Sequence, residues 1–118
     1  MARDFSRSDR VGRQIQKELA EIFHQGVLKD PRLGDITVQE VRVTNNLAFA
    51  TVYFTLFDNS DRNEQEKLLN ETSGLIRREI SRRVKLRVSP ELKFQYDQSI
   101  ENGARLTDLI EKADKGTD

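Results

Sequence analysis

Apolar residues follow a helical spacing in some segments of this chain and a strand spacing in others, and the order of these segments limits the possible folds. In residues 11–23 they recur at steps of three and four, which is typical of an amphipathic helix. Apolar and polar residues alternate in 36–43 and again in 92–96, which indicates strands. Residues 47–57 are apolar or small on both faces, as expected of a central strand. Helical spacing returns in 68–84, so helices both precede and follow the first strand pair.

The ends of the first and last helices are predicted from capping residues. Ser8 is placed to cap the first helix, and Gly26 is placed to end it. Ser99 is placed to cap a final helix, whose apolar residues continue to Ile110. The polar tail after Lys112 is expected to fray.

Two irregularities are predicted in the first strand pair. The alternations of 36–38 and 41–43 are out of phase, so an extra residue near Gln39-Glu40 is expected to form a β-bulge. Asn45-Asn46 is expected to form a tight turn, because asparagine tolerates positive φ. The two strands therefore form a hairpin.

The long helical segment contains one break, at Thr72-Ser73-Gly74. Glycine inside a helix costs about 1 kcal/mol relative to alanine, so the chain is expected to bend here into two short helices. Pro90 ends this stretch, because the residue before a proline avoids helical angles.

The order of elements is therefore α-β-β-α-α-β-α, which predicts an α+β domain with a three-stranded mixed sheet. A right-handed helical crossover after the hairpin places the third strand parallel to the second. Helices are expected to cover one face of the sheet and to leave the other partly wet. This arrangement is typical of the type II KH domain, a module that binds single-stranded RNA. Its Gly-x-x-Gly loop is absent, since Gly74 is the only glycine between Gly34 and Gly103.

Length and composition predict one cytoplasmic domain. The 118 residues fit a single domain over 1–118, with an ordered core of about 8–112 and a polar C-terminal tail. No run of about 18 apolar residues suggests a membrane span, and the polar N-terminus lacks the apolar region of a signal peptide. The absence of cysteine excludes disulfides and thiolate–zinc sites.

Nothing in the sequence predicts an enzyme, a metal site or a cofactor. His24 is the only histidine and has no nucleophile or orienting carboxylate at a recognisable spacing. The carboxylates of 58–71 have a simpler explanation, because acidic residues near a helix N-terminus interact favourably with the helix dipole.

Charge is segregated along the chain although the net charge is zero. Residues 76–93 contain seven basic and two acidic residues, a net charge of +5, whereas 58–71 and 97–118 each carry −3. Arginine's planar fork suits phosphate oxygens, so we predict that the basic run binds RNA rather than forming only a solvated helix face. The predicted RNA-binding residues of this run are Arg77, Arg78, Arg82, Arg83, Lys85 and Arg87.

Two further groups are predicted to contribute to RNA binding. A basic stripe on the first helix extends the site if it lies beside the basic run and is otherwise a solvated face; its members are Arg7, Arg10, Arg13 and Lys17. At the break, the amides of Ser73 and Gly74 are expected to approach a phosphate, with a purely structural kink as the alternative.

The aromatic residues of the strands are expected mainly in the core. Phe49, Phe54 and Phe94 occupy strand positions where core packing is more common than base stacking. Tyr53 and Tyr96 are the expected exposed members, because each hydroxyl needs a polar partner.

Several motifs, in order along the chain, resemble the ribosome-binding factor A family. The most specific spans 86–99, Leu-Arg-Val-Ser-Pro-Glu-Leu-Lys-Phe-Gln-Tyr-Asp-Gln-Ser, and is similar to the family's Leu-Arg-x-x-Pro-Glu-Leu-x-Phe-x-x-Asp-x-Ser. Supporting matches lie at 29–31 and 50–53, and at 73–77 in the kinked helix pair. Thr72 departs from the alanine usual at the kink.

The resemblance implies a bacterial factor for small-subunit biogenesis that acts as a monomer. It implies binding to the free 30S subunit and its 16S rRNA during late maturation and rRNA processing, and a role in growth in the cold. The alternative is a protein–protein adaptor that uses its basic helix on an acidic partner.

Overall fold

The computed structural model describes residues 6–85 and 89–98 and confirms the predicted α+β fold with its three-stranded mixed sheet. The strand order is β1-β2-β3, with β1 antiparallel and β3 parallel to the central strand β2. The predicted C-terminal helix and Arg87 lie outside the described residues. The elements are α1 (Arg7–Gln25), β1 (Ile36–Val43), β2 (Phe49–Leu56), α2 (Arg62–Glu71), α3 (Ser73–Arg83) and β3 (Glu91–Tyr96).

Helix α1 begins two residues earlier than its predicted cap. Ser6 is the N-cap: its hydroxyl accepts from the Asp9 amide at 3.1 Å, and the Asp9 carboxylate accepts from the Ser6 amide at 3.2 Å. The prediction of Ser8 was wrong, because only Ser6 has an acidic residue three positions later to complete this reciprocal pair. Gly26 ends the helix as predicted, at a left-handed φ of 66°.

The predicted β-bulge is present, because the register between β1 and β2 shifts between Val38 and Glu40. Gln39 is the extra residue, and its carbonyl accepts a hydrogen bond from the Gln16 side chain of α1 at 3.0 Å. The bulge lets Ile36 and Val41 both reach the core although their alternations are out of phase.

The hairpin turn lies where it was predicted, but its positive φ falls on Leu47 (61°) and not on an asparagine. Asn46 supports the turn through its side chain, whose oxygen accepts from the Ala48 amide at 3.0 Å. The Leu47 side chain is buried in the core, and this burial offsets the strain of its backbone.

The three helices of the described residues lie against one face of the sheet, as predicted. Ala50, Val52 and Phe54 of β2 alternate into this covered face, together with Leu92 and Phe94 of β3. The opposite side presents the other residues of each strand; no helix of the described residues covers it, and we call it the uncovered sheet face. The predicted burial of Phe49 was wrong, because it lies on the uncovered sheet face and is 55% exposed.

The predicted break is confirmed between α2 and α3, where Thr72 alone separates the two helices. Asp61 caps α2 by accepting from the amides of Asn63 and Glu64. No side chain caps the amino end of α3, since the hydroxyls of Thr72 and Ser73 both donate backwards to carbonyls of α2.

Helix α2 also covers the outer edge of β3 with side chains. Asn70 accepts from the Phe94 amide at 2.7 Å and donates to the Phe94 carbonyl at 2.9 Å, as a paired strand would. Glu66 accepts from the Tyr96 amide at 2.8 Å.

No helix in the described part of the chain has the length and apolar character that a membrane crossing requires.

Candidate nucleic-acid interface

Three residues of the predicted basic run point into solvent at the end of the kinked helix pair. Arg78, Arg82 and Lys85 are exposed. Arg78 lies two residues from each of the buried Ile76 and Ile80, which places it on the opposite side of α3. Arg82 is 74% exposed, and its guanidinium reaches Glu79 at 3.2 Å without being covered by it.

Two arginines of the same run instead hold the fold together. The Arg77 guanidinium donates to the Ser89 carbonyl at 2.6 and 3.2 Å, which ties α3 to the segment before β3. Arg83 is half-buried, 3.1 Å from Glu79 and 3.6 Å from Glu18 of α1. Arg83 therefore links α1 and α3, and its charge is shared with two carboxylates.

The stripe on α1 divides in a similar way. Arg10 and Lys17 are exposed and seven residues apart, so they lie on one side of the helix. Lys17 is two residues from the buried Ile15 and Leu19, which directs it away from the sheet. Arg13 lies nearer the β1 edge, where it lines a cavity with Glu40 and other residues.

These exposed cations form one surface, because α1 and α3 cover the same face of the sheet and contact each other. The outer sides of both helices consequently point in the same direction. We call this the outer basic surface; its members are Arg10, Lys17, Arg78, Arg82 and Lys85. Glu18 and Glu79 are half-buried at the crossing of the two helices. The other carboxylates of α1 are Asp9, exposed beside Arg10, and Glu21, half-buried one turn after Lys17.

A groove of about 360 Å³ lies between the break and the edge of β3. We call it the kink groove; it is lined by Asn70, Ser73, Gly74, Arg77, Glu91, Leu92 and Lys93. The structure thus places the predicted Ser73 and Gly74 beside Arg77. A side chain at Gly74 would meet nothing within 4 Å, so internal packing does not require glycine there.

Lys93 and Asn70 are groove residues that the sequence analysis did not select. Lys93 was counted in the basic run, and the alternation of β3 already predicts that it faces away from the buried Leu92 and Phe94. Its position beside the break depends on the parallel pairing of β3. Asn70 carried no sequence signal, because its role depends on contacts with a strand 24 residues away.

No group of acidic, histidine or cysteine side chains in residues 6–85 and 89–98 is arranged to hold a metal ion. The chemistry of this region is that of fixed positive charge and hydrogen-bond donors, which suits phosphate oxygens.

Comparison with protein families matches residues 7–110 to the family described as ribosome-binding factor A. A ribosome-binding factor A of Marinomonas sp. is 46% identical over 117 residues, covering 96% of this chain and 90% of the relative. A ribosome-binding factor A of Hahella chejuensis is 48% identical over 120 residues, covering 96% of this chain and 88% of the relative.

A crystal structure and a homology model fitted into a cryo-EM map have the same fold. The crystal structure of ribosome-binding factor A from Thermus thermophilus is 27% identical, with a TM-score of 0.65 over 75% of this chain and 94% of that one. A homology model of the Thermus thermophilus factor, fitted into a cryo-EM map of its 30S complex, is 28% identical with a TM-score of 0.60, covering 73% and 90%.

Proposed function

The chain belongs to the ribosome-binding factor A family, and on that premise we propose that it binds the free 30S ribosomal subunit and its 16S rRNA through the outer basic surface and the kink groove. The observation that carries this proposal is the set of exposed cations on the outer sides of α1 and α3, which outnumber the exposed carboxylates of these two helices. A relative from Thermus thermophilus has been fitted into a map of its 30S complex, which supports the same partner here.

The contacts proposed on the outer basic surface are with phosphates of folded RNA. Arginine and lysine on a helix exterior supply affinity and salt dependence but do not read bases. Arg77 and Arg83 would contribute through their electrostatic field and by holding α3 in position, because their guanidiniums already bind protein groups. Arg13 and Arg87 remain proposed contributors.

At the kink groove we propose that the backbone at Ser73 and Gly74 approaches a phosphate. Support comes from the open space around Gly74 and from the missing side-chain cap of α3. Arg77 and Lys93 line the same groove and add positive charge. The missing Gly-x-x-Gly loop favours a surface for folded RNA over a clamp for a free single strand.

The cellular role we propose is non-catalytic and cytoplasmic. The protein, as a monomeric single domain without a cofactor, would assist late maturation of the 30S subunit, including processing of 16S rRNA, and would support growth in the cold. Deletion of the gene is expected to slow growth at low temperature and to accumulate unprocessed 16S rRNA. Normal processing and growth in the deletion strain would contradict this role.

Co-sedimentation with purified 30S subunits tests the surface. The double variant Arg78→Glu/Arg82→Glu is expected to bind at least about tenfold more weakly, with a salt slope lowered by about two. Its matched control is Arg32→Glu/Lys67→Glu, which changes the net charge equally at two exposed cations beside acidic Glu64 and Glu71. Equal binding by the two double variants would exclude the outer basic surface.

Nuclease treatment distinguishes RNA binding from the adaptor function. A complex made through phosphates is expected to dissociate when its RNA is digested. A complex with an acidic protein partner would survive digestion and would replace this proposal.

A further inference from the structure

The uncovered sheet face carries a row of aromatic residues on its central strand. Phe49 and Tyr53 lie four residues apart on β2, so they point to the same side, and Phe57 follows one residue after the strand ends. Phe49 is 55% and Phe57 is 79% exposed. Between the first two rings, Thr51 pairs with Arg42 on β1 and with Lys93 on β3, so a cation flanks the row on each side.

Tyr53 is the member of this row whose ring is held in place. The Arg42 guanidinium lies 5.6 Å from the ring centroid, and Arg42 is itself fixed by a 2.7 Å hydrogen bond to Glu40. Both residues belong to β1 and support the ring from that side. On the β3 side, Tyr53 borders a groove instead.

That groove joins the uncovered sheet face to the kink groove. It has a volume of about 600 Å³ and is lined by Tyr53, by Glu66 and Asn70 of α2, and by residues 93–98 of β3 and the segment after it. Asn70 and Lys93 also line the kink groove. The two grooves therefore form one path that leads from Gly74, past Lys93 and around the β3 edge, to Tyr53.

An unpaired stretch of RNA fits this path chemically. Lys93 offers a charge for one phosphate at the middle of the path, and Tyr53 offers a ring fixed from behind, on which any base can stack. Three carboxylates also line the path: Glu91 in the kink groove, and Glu66 and Asp97 in the larger groove. Glu66 accepts a hydrogen bond from the Tyr96 amide. We propose that an unpaired segment of the same folded RNA crosses the β3 edge at Lys93 and stacks one base on Tyr53, with an oligoadenylate as its isolated probe. This inference rests on the proposed function, since it extends the same bound RNA.

Tyrosine emission provides a direct readout, because the chain has two tyrosines and no tryptophan. Tyr96→Phe leaves Tyr53 as the only emitter. This change preserves the edge-on packing of the ring against Phe54 and its contact with the Arg62 guanidinium, 5.1 Å from the ring centroid. Adding a short oligoadenylate to the Tyr96→Phe protein is expected to quench the emission of Tyr53.

Variants at the path then separate stacking from charge. Tyr53→Ala is expected to weaken oligoadenylate binding about tenfold, whereas Tyr53→Phe keeps the ring and the affinity. Lys93→Gln is expected to lower the salt slope by about 0.7, the value for one phosphate of a single strand. Phe57→Ala is the matched control, because it removes an exposed aromatic ring that does not line the path.

The same variants assayed on 30S subunits distinguish this inference from the proposed function. Unchanged emission together with equal oligoadenylate binding by Tyr53→Ala would overturn the stacking site, even if 30S binding persists. A Tyr53→Ala defect on 30S subunits without any oligoadenylate effect would assign the ring to a ribosomal protein and would also overturn it. If the wild-type protein did not bind 30S subunits at all, the proposed function itself would be refuted.

Discussion

At the scale of single residues, one glycine sets how closely α1 lies against the sheet. Gly12 is buried, and a Cβ built on it would be 2.7 Å from the Val41 carbonyl oxygen. Because that atom belongs to the backbone of β1, it cannot move aside as the end of a flexible side chain can. The close approach also brings Gln16 within reach of the bulge carbonyl.

We therefore expect Gly12→Ala to destabilise the protein by about 1–3 kcal/mol, the usual cost of overpacking. Urea unfolding measures the change. Gly74→Ala is the matched control, because its new methyl group meets nothing within 4 Å and alanine is favoured in helices by about 1 kcal/mol. If both substitutions stabilise the fold, the close approach of Gly12 to the Val41 carbonyl does not exclude a side chain.

A second residue-scale prediction concerns the stability of the fold at low pH. Hydrogen bonds from the side chain and amide of Ser60, and then from the Asp35 amide, lower the pKa of Asp58. A carboxylate whose folded pKa lies below the ordinary value of about 3.9 stabilises the fold above that pH and loses the effect as pH falls through the folded pKa.

Asp58→Asn is therefore expected to lower the urea midpoint at pH 7, with a smaller difference from wild type near pH 3. Glu71→Gln, at an exposed position of α2, controls for the loss of one negative charge. A difference between wild type and Asp58→Asn that is the same at both pH values would contradict this account.

Single-residue details were predicted only where the signal was local. Gly26 could be predicted as a helix end because its left-handed conformation is a property of glycine itself. The N-cap at Ser6 could also have been predicted, since Asp9 lies three residues later in the sequence. The positive φ of Leu47 was not, because it depends on tertiary burial of its side chain.

At the scale of elements, β3 is an edge strand whose free side is covered by side chains of α2. Asn70 forms two hydrogen bonds with the main chain of Phe94, so it satisfies a donor and an acceptor that would otherwise be free to pair with another chain. The same contacts fix the distance between α2 and the sheet, and with it the width of the kink groove.

Asn70→Ala is expected to cost about 1–3 kcal/mol, because two main-chain groups at a half-buried site lose their partner. Thermal unfolding measures the loss, and light scattering reports any edge-to-edge association. Asn63→Ala, at an exposed position of the same helix, serves as the control and should change stability little. Similar melting temperatures for the two variants would show that the edge contacts contribute little.

The order, direction and breaks of the elements were predictable from sequence, since each rests on a repeating pattern. The bulge near Gln39 follows from a phase change between two alternations, and the break at Thr72 follows from a glycine in a helical series. Leu75 lies within the segment of helical spacing, yet it is 52% exposed, because Ile76 and Ile80 define the buried side of α3 and Leu75 lies about 100° around the helix from Ile76. Periodicity within one helix does not report its rotation relative to the next.

At the scale of the whole molecule, the proposed site depends on which cations remain available after folding. The basic run is one block of sequence, but folding divides it between Arg78, Arg82 and Lys85 in solvent and Arg77 and Arg83 at protein contacts. Composition counts these charges equally and therefore overstates the contribution of this run to the surface. The cations of α1 compensate, because the Glu18–Arg83 contact at 3.6 Å holds α1 against α3.

This arrangement predicts that the two helices contribute to one RNA footprint. Arg10→Glu/Lys17→Glu is expected to weaken 30S binding and to lower the salt slope by about two, as for the α3 double variant. The cations lie at separate positions, so the quadruple variant is expected to show the sum of the two losses in binding free energy. Sedimentation across a salt series measures both quantities, with Arg32→Glu/Lys67→Glu as the charge-matched control. If the α1 variant matches that control, the footprint is confined to α3 and the kink groove, and the stripe on α1 is a solvated face.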